Sequence, residues 1–580
     1  MGRFKFLKPF FKQYKWHYLF GLFWLLLVNI MQLIIPRVLG NLTDQLAIGT
    51  LNSDGLIRYA GIICVIAFTI AFSRFMWRIF IIGTSRKLEY FLRNRLVGHL
   101  QKLSPAYFNH HKTGDLMAHA TNDINAIRMA FGQGVIMITD AVVISVITVF
   151  LMINQVGVAL TLIAMVPLPF IAIGARMMGK LIHKRFRAVQ EAFSNLTDKT
   201  QENLSGIRVV KAFVQEGAEI HKFNEASQKH VNSNMRLVKI WGALHPLIQV
   251  ISTISLLLVL GFGGRAVIYG DISIGDFVAF NSYLGMMIWP MMAIGWVMNV
   301  IQRGAASMDR INEILLERPE IRDAKDAQDL QVKGEIEFKD LTFSYEKGEP
   351  ALKNINLKIS QGKTVAIIGR TGSGKTTLVN LLLRLVNSPE GTLFIDGVDI
   401  NKIKLKSLRE NIGYVPQDNF LFSTSISENI AFALDDYTNT QVTDAAKFAQ
   451  VYDNIMDFPE KFETMMGERG VTLSGGQKQR VSIARAIIKD PSILILDDSL
   501  SAVDTHTEEE ILKGLKTIMA SRTSIIISHR VSTVKEADEI LVMDDGEIIE
   551  RGTHEQLVEH KGLYYQLHLK QLLEEKLNKA

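Results

Sequence analysis

The sequence predicts a multi-domain chain. A six-helix α-helical transmembrane domain with long cytoplasmic helical extensions is followed by a soluble α/β domain built around a glycine-rich loop. Three observations predict it. Six apolar runs fill the first half, each long enough to cross a bilayer core, which takes about 20 helical residues. Charge is divided unevenly: residues 1–318 carry 32 Lys+Arg against 17 Asp+Glu, and residues 319–580 carry 32 against 41. From Gly334 onward the pattern changes to short strands, turns and amphipathic helices. The predicted boundaries are 1–318 for the membrane domain, 319–334 for a polar linker, 335–572 for the soluble domain and 573–580 for a charged tail.

The 580 residues suit about two to four domains. The basic residues of the first half flank apolar spans, so nucleic acid is not an expected partner; the lipid bilayer is. Cys64 is the only cysteine, which excludes an intrachain disulfide and a cysteine metal cluster. It is expected to be buried. The basic N-terminus has no short apolar core with a small-residue cleavage site, and is read as retained.

The predicted spans are roughly 17–39, 55–82, 131–153, 156–178, 243–269 and 276–299. Ahead of the first, Phe4, Phe6, Leu7, Phe10 and Phe11 alternate with Lys5, Lys8 and Lys12, which suits a short amphipathic helix on the membrane surface. The N-terminus and the 83–130 and 180–240 connections are basic, whereas the other connections are short and nearly free of Lys and Arg. The positive-inside rule therefore places both termini and both long connections in the cytoplasm. Structureless loops of about 50–60 residues are unusual, so each long connection is read as two helical arms that continue the spans. Their tips are predicted near Thr113–Leu116 and Val210–Phe213.

Some residues of this half are candidates for more than packing. Met286, Met287, Met291, Met292 and Met298 cluster in the sixth span with Trp289 and Trp296, and flexible Met suits surfaces that accept many apolar shapes. Pro290 is expected to kink that span. Asp140, Arg74 and Arg78 are costly within a membrane unless paired or hydrated; a structural pair between them is feasible, and a cation-binding role for Asp140 is the alternative. His110, His111 and His119 near the first tip are read as surface histidines rather than a metal site.

In the soluble half, Gly369-Arg370-Thr371-Gly372-Ser373-Gly374-Lys375-Thr376 fits G-x-x-x-x-G-K-[ST] between a strand at Thr364–Ile368 and a helix from Thr376 to Leu385. Its glycines let backbone N–H groups, continuing to Thr377, face the phosphates of ATP. Lys375 neutralises β/γ oxygens, and the Thr376 hydroxyl suits Mg²⁺. Leu473-Ser474-Gly475-Gly476-Gln477 opens a second helix, where bare amides at a helix N-terminus favour an anion. An apolar strand, Ile493–Leu496, then delivers Asp497-Asp498.

A P-loop with LSGGQ roughly 100 residues later resembles the nucleotide-binding domain of ATP-binding cassette (ABC) proteins, in which two such domains sandwich ATP. The resemblance covers essentially the whole chain and implies an ABC exporter: a membrane domain followed by a P-loop NTPase of the ABC ATPase type. It implies an ATPase-coupled translocase for hydrophobic or amphipathic small molecules, in the plasma (inner) membrane of a bacterium. Residue by residue, it implies that Tyr345 stacks on adenine and that Gln417 is the Q-loop residue at Mg²⁺. It further implies that Asp497 is the Walker B metal ligand, that Ser501–Asp504 is the D-loop and that His529 is the switch histidine at the γ-phosphate. The two tips resemble coupling helices.

One position departs from the pattern. ABC exporters normally carry Asp-Glu where this chain has Asp497-Asp498, and the Glu is the general base. Asp498 is one methylene shorter, and a displacement of about 1 Å can cost on the order of 100-fold in rate. The chain is therefore read as binding ATP but hydrolysing it poorly, while its intact LSGGQ completes a productive site on a partner that carries the Glu. That division resembles bacterial heterodimeric multidrug exporters. The alternatives are a homodimeric lipid flippase, which needs Asp498 to catalyse, and an ATP-gated channel or regulatory subunit.

Overall fold

The computed structural model describes residues 4–345, 348–467, 473–499 and 505–579. They divide into two compact units, Met1–Lys102 with Lys112–Glu317, and Leu103–His111 with Arg318–Ala580.

The first unit contains six long apolar helices: α1 (Lys5–Ile48), α2 (Ser53–Leu100), α3 (Thr113–Val156), α4 (Val158–Ser205), α5 (Glu216–Ile268) and α6 (Ile274–Leu316). At about 1.5 Å per residue they are roughly 65–80 Å long, more than twice the thickness of a hydrocarbon core. The predicted arms are therefore continuous with the spans. Leu33, Met152, Ala164, Phe280, Tyr283 and Met287 form a buried cluster among α1, α3, α4 and α6, and the Tyr283 hydroxyl donates to the Leu33 carbonyl at 2.9 Å. Five-residue π turns interrupt α2 at Arg78–Ile82, α3 at His119–Asp123 and Ala130–Gly134, and α5 at Val259–Gly263.

Polar contacts pin α6 at both ends. Near its start, the Asp44 carboxylate accepts from Ser273 Oγ (2.8 Å) and Gly275 N (2.6 Å), and Arg37 pairs with Asp276 at 2.9 Å. Near its end, Asp123 of α3 accepts from Ser307 Oγ at 2.8 Å and is clasped by the Arg310 guanidinium.

The structure corrects several expectations. The N-terminal segment packs one face on protein and leaves Lys5, Lys8 and Lys12 exposed. Leu7 and Phe10 are fully buried, the Phe10 ring lies 5.6 Å from Phe91, and Arg95 stacks over Phe6. Alternating Phe and Lys suits that aromatic and cationic arm as well as it suits a membrane. The first tip falls earlier than predicted: Pro105 opens a short helix, Pro105–His110, while Thr113–Leu116 is already the first turn of α3. The second tip, Ile207–Ala212, is a short helix overlapping the predicted stretch. Cys64 is exposed rather than buried.

Asp140 does not pair with either arginine among the described residues; its Oδ1 accepts from Asn29 Nδ2 at 2.9 Å, and Arg78 lies over the Trp77 ring. Asn29 answers the burial problem with a neutral donor. His111 stacks on Tyr107, and His119 Nδ1 lies 2.6 Å from Asp123 Oδ2. The Met cluster splits: Met287 is buried in the bundle, whereas Met298, Trp289 and Trp296 are exposed. Helix α6 runs on through Pro290.

The second unit is α/β. A six-stranded sheet has the order β10-β9-β3-β8-β7-β6, comprising β3 (Thr364–Gly369), β6 (Ile412–Val415), β7 (Ile493–Asp497), β8 (Thr523–Ile527), β9 (Glu539–Asp544) and β10 (Glu547–Gly552). Its pairs are parallel except the β9–β10 hairpin. Strands β3, β7 and β8 are almost wholly buried, which explains their unbroken apolar runs. A smaller antiparallel sheet, β2-β1-β4-β5, joins β1 (Ile336–Phe343), β2 (Leu352–Ile359), β4 (Leu393–Ile395) and β5 (Val398–Asp399). Residues of the predicted linker are fastened to this unit: the Arg322 carbonyl accepts from Arg384 at 3.2 Å, and Asp323 accepts from Leu405 N at 2.7 Å.

Candidate functional site

Strand register assembles the site. Ile367 of β3 and Asp497 of β7 both align with Ile527 of β8, which lies between those two strands. Val415 of β6 aligns with Leu496. Four parallel strands therefore end together. The segments that follow them, Gly369–Lys375, Gln417, Asp497-Asp498 and His529, emerge on one carboxyl edge, where open α/β sheets place their ligands.

The Gly369–Thr376 loop turns tightly onto the helix Lys375–Leu382. Gly374 has φ +96°, and a Cβ on Gly369 would stand 2.2 Å from the Met543 carbonyl, so both positions need glycine. Lys375 is buried and donates to the carbonyls of Gly369 (3.0 Å) and Arg370 (2.8 Å) and to Ser373 Oγ (3.3 Å). Burial lowers its pKa against the opposing pull of Asp497 and Asp498. Arg370, Thr371, Gly372 and Thr376 are exposed along the rim.

Asp497 is 1% exposed. Burial raises its pKa, against the opposing influence of the nearby Thr376 hydroxyl and Lys375. Its Oδ2 is buried without a hydrogen-bond partner. A buried carboxylate oxygen and an adjacent hydroxyl form the oxygen donor set that suits Mg²⁺. Asp498 follows at φ +44°, a left-handed backbone that Asp adopts more readily than most residues, with its N–H donating to Ile527 O at 2.8 Å.

Tyr345 leans on the same helix. Its hydroxyl donates to Thr377 Oγ1 at 3.4 Å and accepts from Asn380 at 3.3 Å, and the residue is 43% exposed. Gln417 and the His529 ring are exposed. The LSGGQ residues form a separate face. Leu473 is buried, Ser474 N-caps the helix Gly475–Ile487, and the Ser474 and Gln477 side chains close a capping box. That box fixes the helix start and leaves Gly475 without a side chain on an exposed turn. The Asp504 expectation lies outside the described residues.

Sequence reasoning missed Arg485, at the far end of the same helix. It donates to Phe420 O (2.9 Å) and Asn429 O (2.8 Å) and lies over the Phe422 and Phe432 rings, fastening the LSGGQ helix to the segment after Gln417. Burial lowers its pKa to about 10. An arginine in a helix carries no spacing signal that would have exposed it.

Residues 18–291 match the family described as ABC transporter transmembrane region, and residues 352–501 match the family described as ABC transporter. The chain is 41% identical over 566 residues to "Probable multidrug resistance ABC transporter ATP-binding/permease protein YheI" of Bacillus subtilis, covering 97% of each. It is 36% identical over 487 residues to "ATP-dependent lipid A-core flippase" of Syntrophus aciditrophicus, covering 84% of this chain and 81% of the relative. Among solved structures it is similar to a bacterial Atm1-family ABC exporter with ATP bound, with a TM-score of 0.78, 26% identity and coverage of 96% and 98%.

Proposed function

The chain belongs to the ABC transporters as an ATPase-coupled, multi-pass protein of the bacterial plasma membrane, and on that premise we propose that it is one half of a heterodimeric exporter. In this reading it exports hydrophobic or amphipathic compounds with a partner that carries the catalytic Glu, and its own ATP site hydrolyses poorly. One observation carries the proposal: Asp498 stands where the family's general base is a Glu. The similarity to a multidrug-type relative supports the substrate class.

The residues divide the work as follows. The amides of Gly369–Thr377 and Lys375 hold the ATP phosphates, which offer Lys375 a stronger acceptor than the carbonyls it touches here. Tyr345 stacks on the adenine. Thr376, Gln417 and Asp497 would hold Mg²⁺, which neutralises phosphate charge when bound. His529 contacts the γ-phosphate. The Ser474–Gly476 face, with Leu473 and Gln477 holding its turn, contacts the γ-phosphate in the partner's site, and Asp504 belongs to the D-loop between the two. Basic connections support cytoplasmic termini. ATP binding draws the two nucleotide domains together, and hydrolysis at the partner's site resets them.

The lipid A-core flippase relative favours a second reading, a homodimeric flippase in which Asp498 catalyses. Expression of the chain alone tests between them. The heterodimer predicts ATP binding with little drug-stimulated hydrolysis, restored by co-expression with an Asp-Glu half-transporter. Vigorous hydrolysis by the purified single chain would return the homodimer.

A further inference from the structure

The terminal helix Leu563–Lys579 is seated firmly at its start. The Glu550 carboxylate accepts from Leu563 N (2.5 Å) and Tyr564 N (3.3 Å), and the Tyr564 side chain is fully buried with its hydroxyl 2.8 Å from His554 Nδ1. Two turns later the helix reaches the segment after β8. Gln571 Nε2 donates to the His529 carbonyl at 2.6 Å, and Gln571 Oε1 accepts from Val531 N at 2.7 Å. These two bonds straddle Arg530, whose own N–H donates to Ser528 Oγ at 3.0 Å. The backbone that carries the exposed His529 is thus held from the sheet side through Ser528 and from the terminal helix through the Gln571 side-chain amide.

An amide suits this place because it offers one donor and one acceptor side by side. The His529 carbonyl needs the donor, and the Val531 N–H needs the acceptor. A carboxylate would set an oxygen against the carbonyl, and an apolar side chain would satisfy neither group. Fixing the carbonyl of His529 fixes the direction in which its ring leaves the backbone. Preorganised groups bind better than mobile ones because less ordering entropy is lost on contact.

We propose that Gln571 is a positioning residue for His529, and that the terminal helix thereby belongs to the machinery that tells ATP from ADP. The proposal rests on the reading of His529 as a γ-phosphate contact. ADP lacks that phosphate, so loosening His529 weakens ATP binding and leaves ADP binding unchanged. A helix that merely braces the domain would, when disturbed, weaken both nucleotides alike.

The test uses the intact transporter in lipid nanodiscs. This chain is photolabelled with an azido-adenine nucleotide in the presence of Mg²⁺ and competed with ATP or with ADP. Losing a hydrogen bond to a charged group predicts about a tenfold loss of ATP competition for His529→Ala, with ADP unaffected. Gln571→Ala and the similarly sized Gln571→Met should each lose about threefold for ATP alone, and the amides of the segment after β8 should exchange hydrogen faster. An unchanged ATP-to-ADP ratio in both Gln571 variants, with His529→Ala impaired, overturns the positioning role and leaves the reading of His529 intact. Equal weakening of ATP and ADP overturns it in favour of a brace. An unchanged ratio in His529→Ala removes the underlying reading itself.

Discussion

Gly40 and Gly275 meet backbone to backbone where α1 ends and α6 begins: a Cβ on Gly275 would stand 2.0 Å from the Gly40 carbonyl oxygen. The Asp44 carboxylate spans the same junction, accepting from Gly275 N and Ser273 Oγ. Close approach of helices through small residues is how membrane bundles gain packing contacts. Gly275→Val should therefore destabilise the membrane domain by about 1–3 kcal/mol, the usual range for overpacking. Gly61→Ala, where a Cβ meets nothing within 4 Å, should be neutral. Thermal unfolding of the two variants in nanodiscs checks the difference.

The asymmetric mechanism makes opposite predictions for two residues of one chain. Loss of a general base typically costs about 10²–10⁴-fold. In the heterodimer Asp498→Asn should leave most of the complex's ATPase, because the partner's Glu activates the productive water. Gly476→Asp should abolish it by placing a negative charge against the partner's γ-phosphate. Steady-state hydrolysis at equal ATP occupancy decides, and equal loss in both variants would restore the homodimer. Asp498→Glu should add hydrolysis at this chain's own site.

Asn29 of α1 and Asp140 of α3 form a polar contact within the bundle, with Asn29 only 2% exposed. Interhelical hydrogen bonds in membranes average about 0.6 kcal/mol and reach about 1.7 kcal/mol. Asn29→Leu should lower stability within that range, and Asp140→Asn, which retains an acceptor, should lower it less. Melting curves rank the two variants, and the reverse order would reject the pairing as described.

Arg485→Lys tests the fastening of the LSGGQ helix. Lys keeps the charge but not the planar fork that reaches Phe420, Asn429 and two aromatic rings. Stranding these acceptors predicts a loss of about 1–3 kcal/mol in stability. ATPase stimulation by substrate should fall as well, because the segment after Gln417 loses its anchor. Unaltered melting and unaltered stimulation would show that the contacts are incidental.

What was legible in the sequence follows the range of the physics. Long apolar runs announce helices because a bilayer demands about 20 residues in a row. The phosphate loop announces itself because only certain glycines allow its turn. Both signals are local. The partner of Asp140 lies 111 residues away at Asn29, and the Gln571 clamp reaches 42 residues back to His529. Single-sequence periodicity does not carry pairings of that range. The first tip was misplaced because Thr113-Gly114-Asp115 carries no strong helix signal of its own, yet it forms the first turn of α3 after Lys112. The N-terminal Phe/Lys pattern had two physically valid solutions, lipid and protein, and the aromatic arm of α2 supplied the second.

Two of the π turns lie side by side, Arg78–Ile82 in α2 and Ala130–Gly134 in α3. Each is a place where the backbone ladder is one residue out of step with the helix on either side. Set at one level in neighbouring rods, they would act as a shared crease, with regular helix above and below it. A bend there is shared by both helices at once. In rods roughly 65–70 Å long, a tilt of about 5° displaces a far end by about 3 Å from a mid-length crease. That would be a stroke on the scale of a side chain.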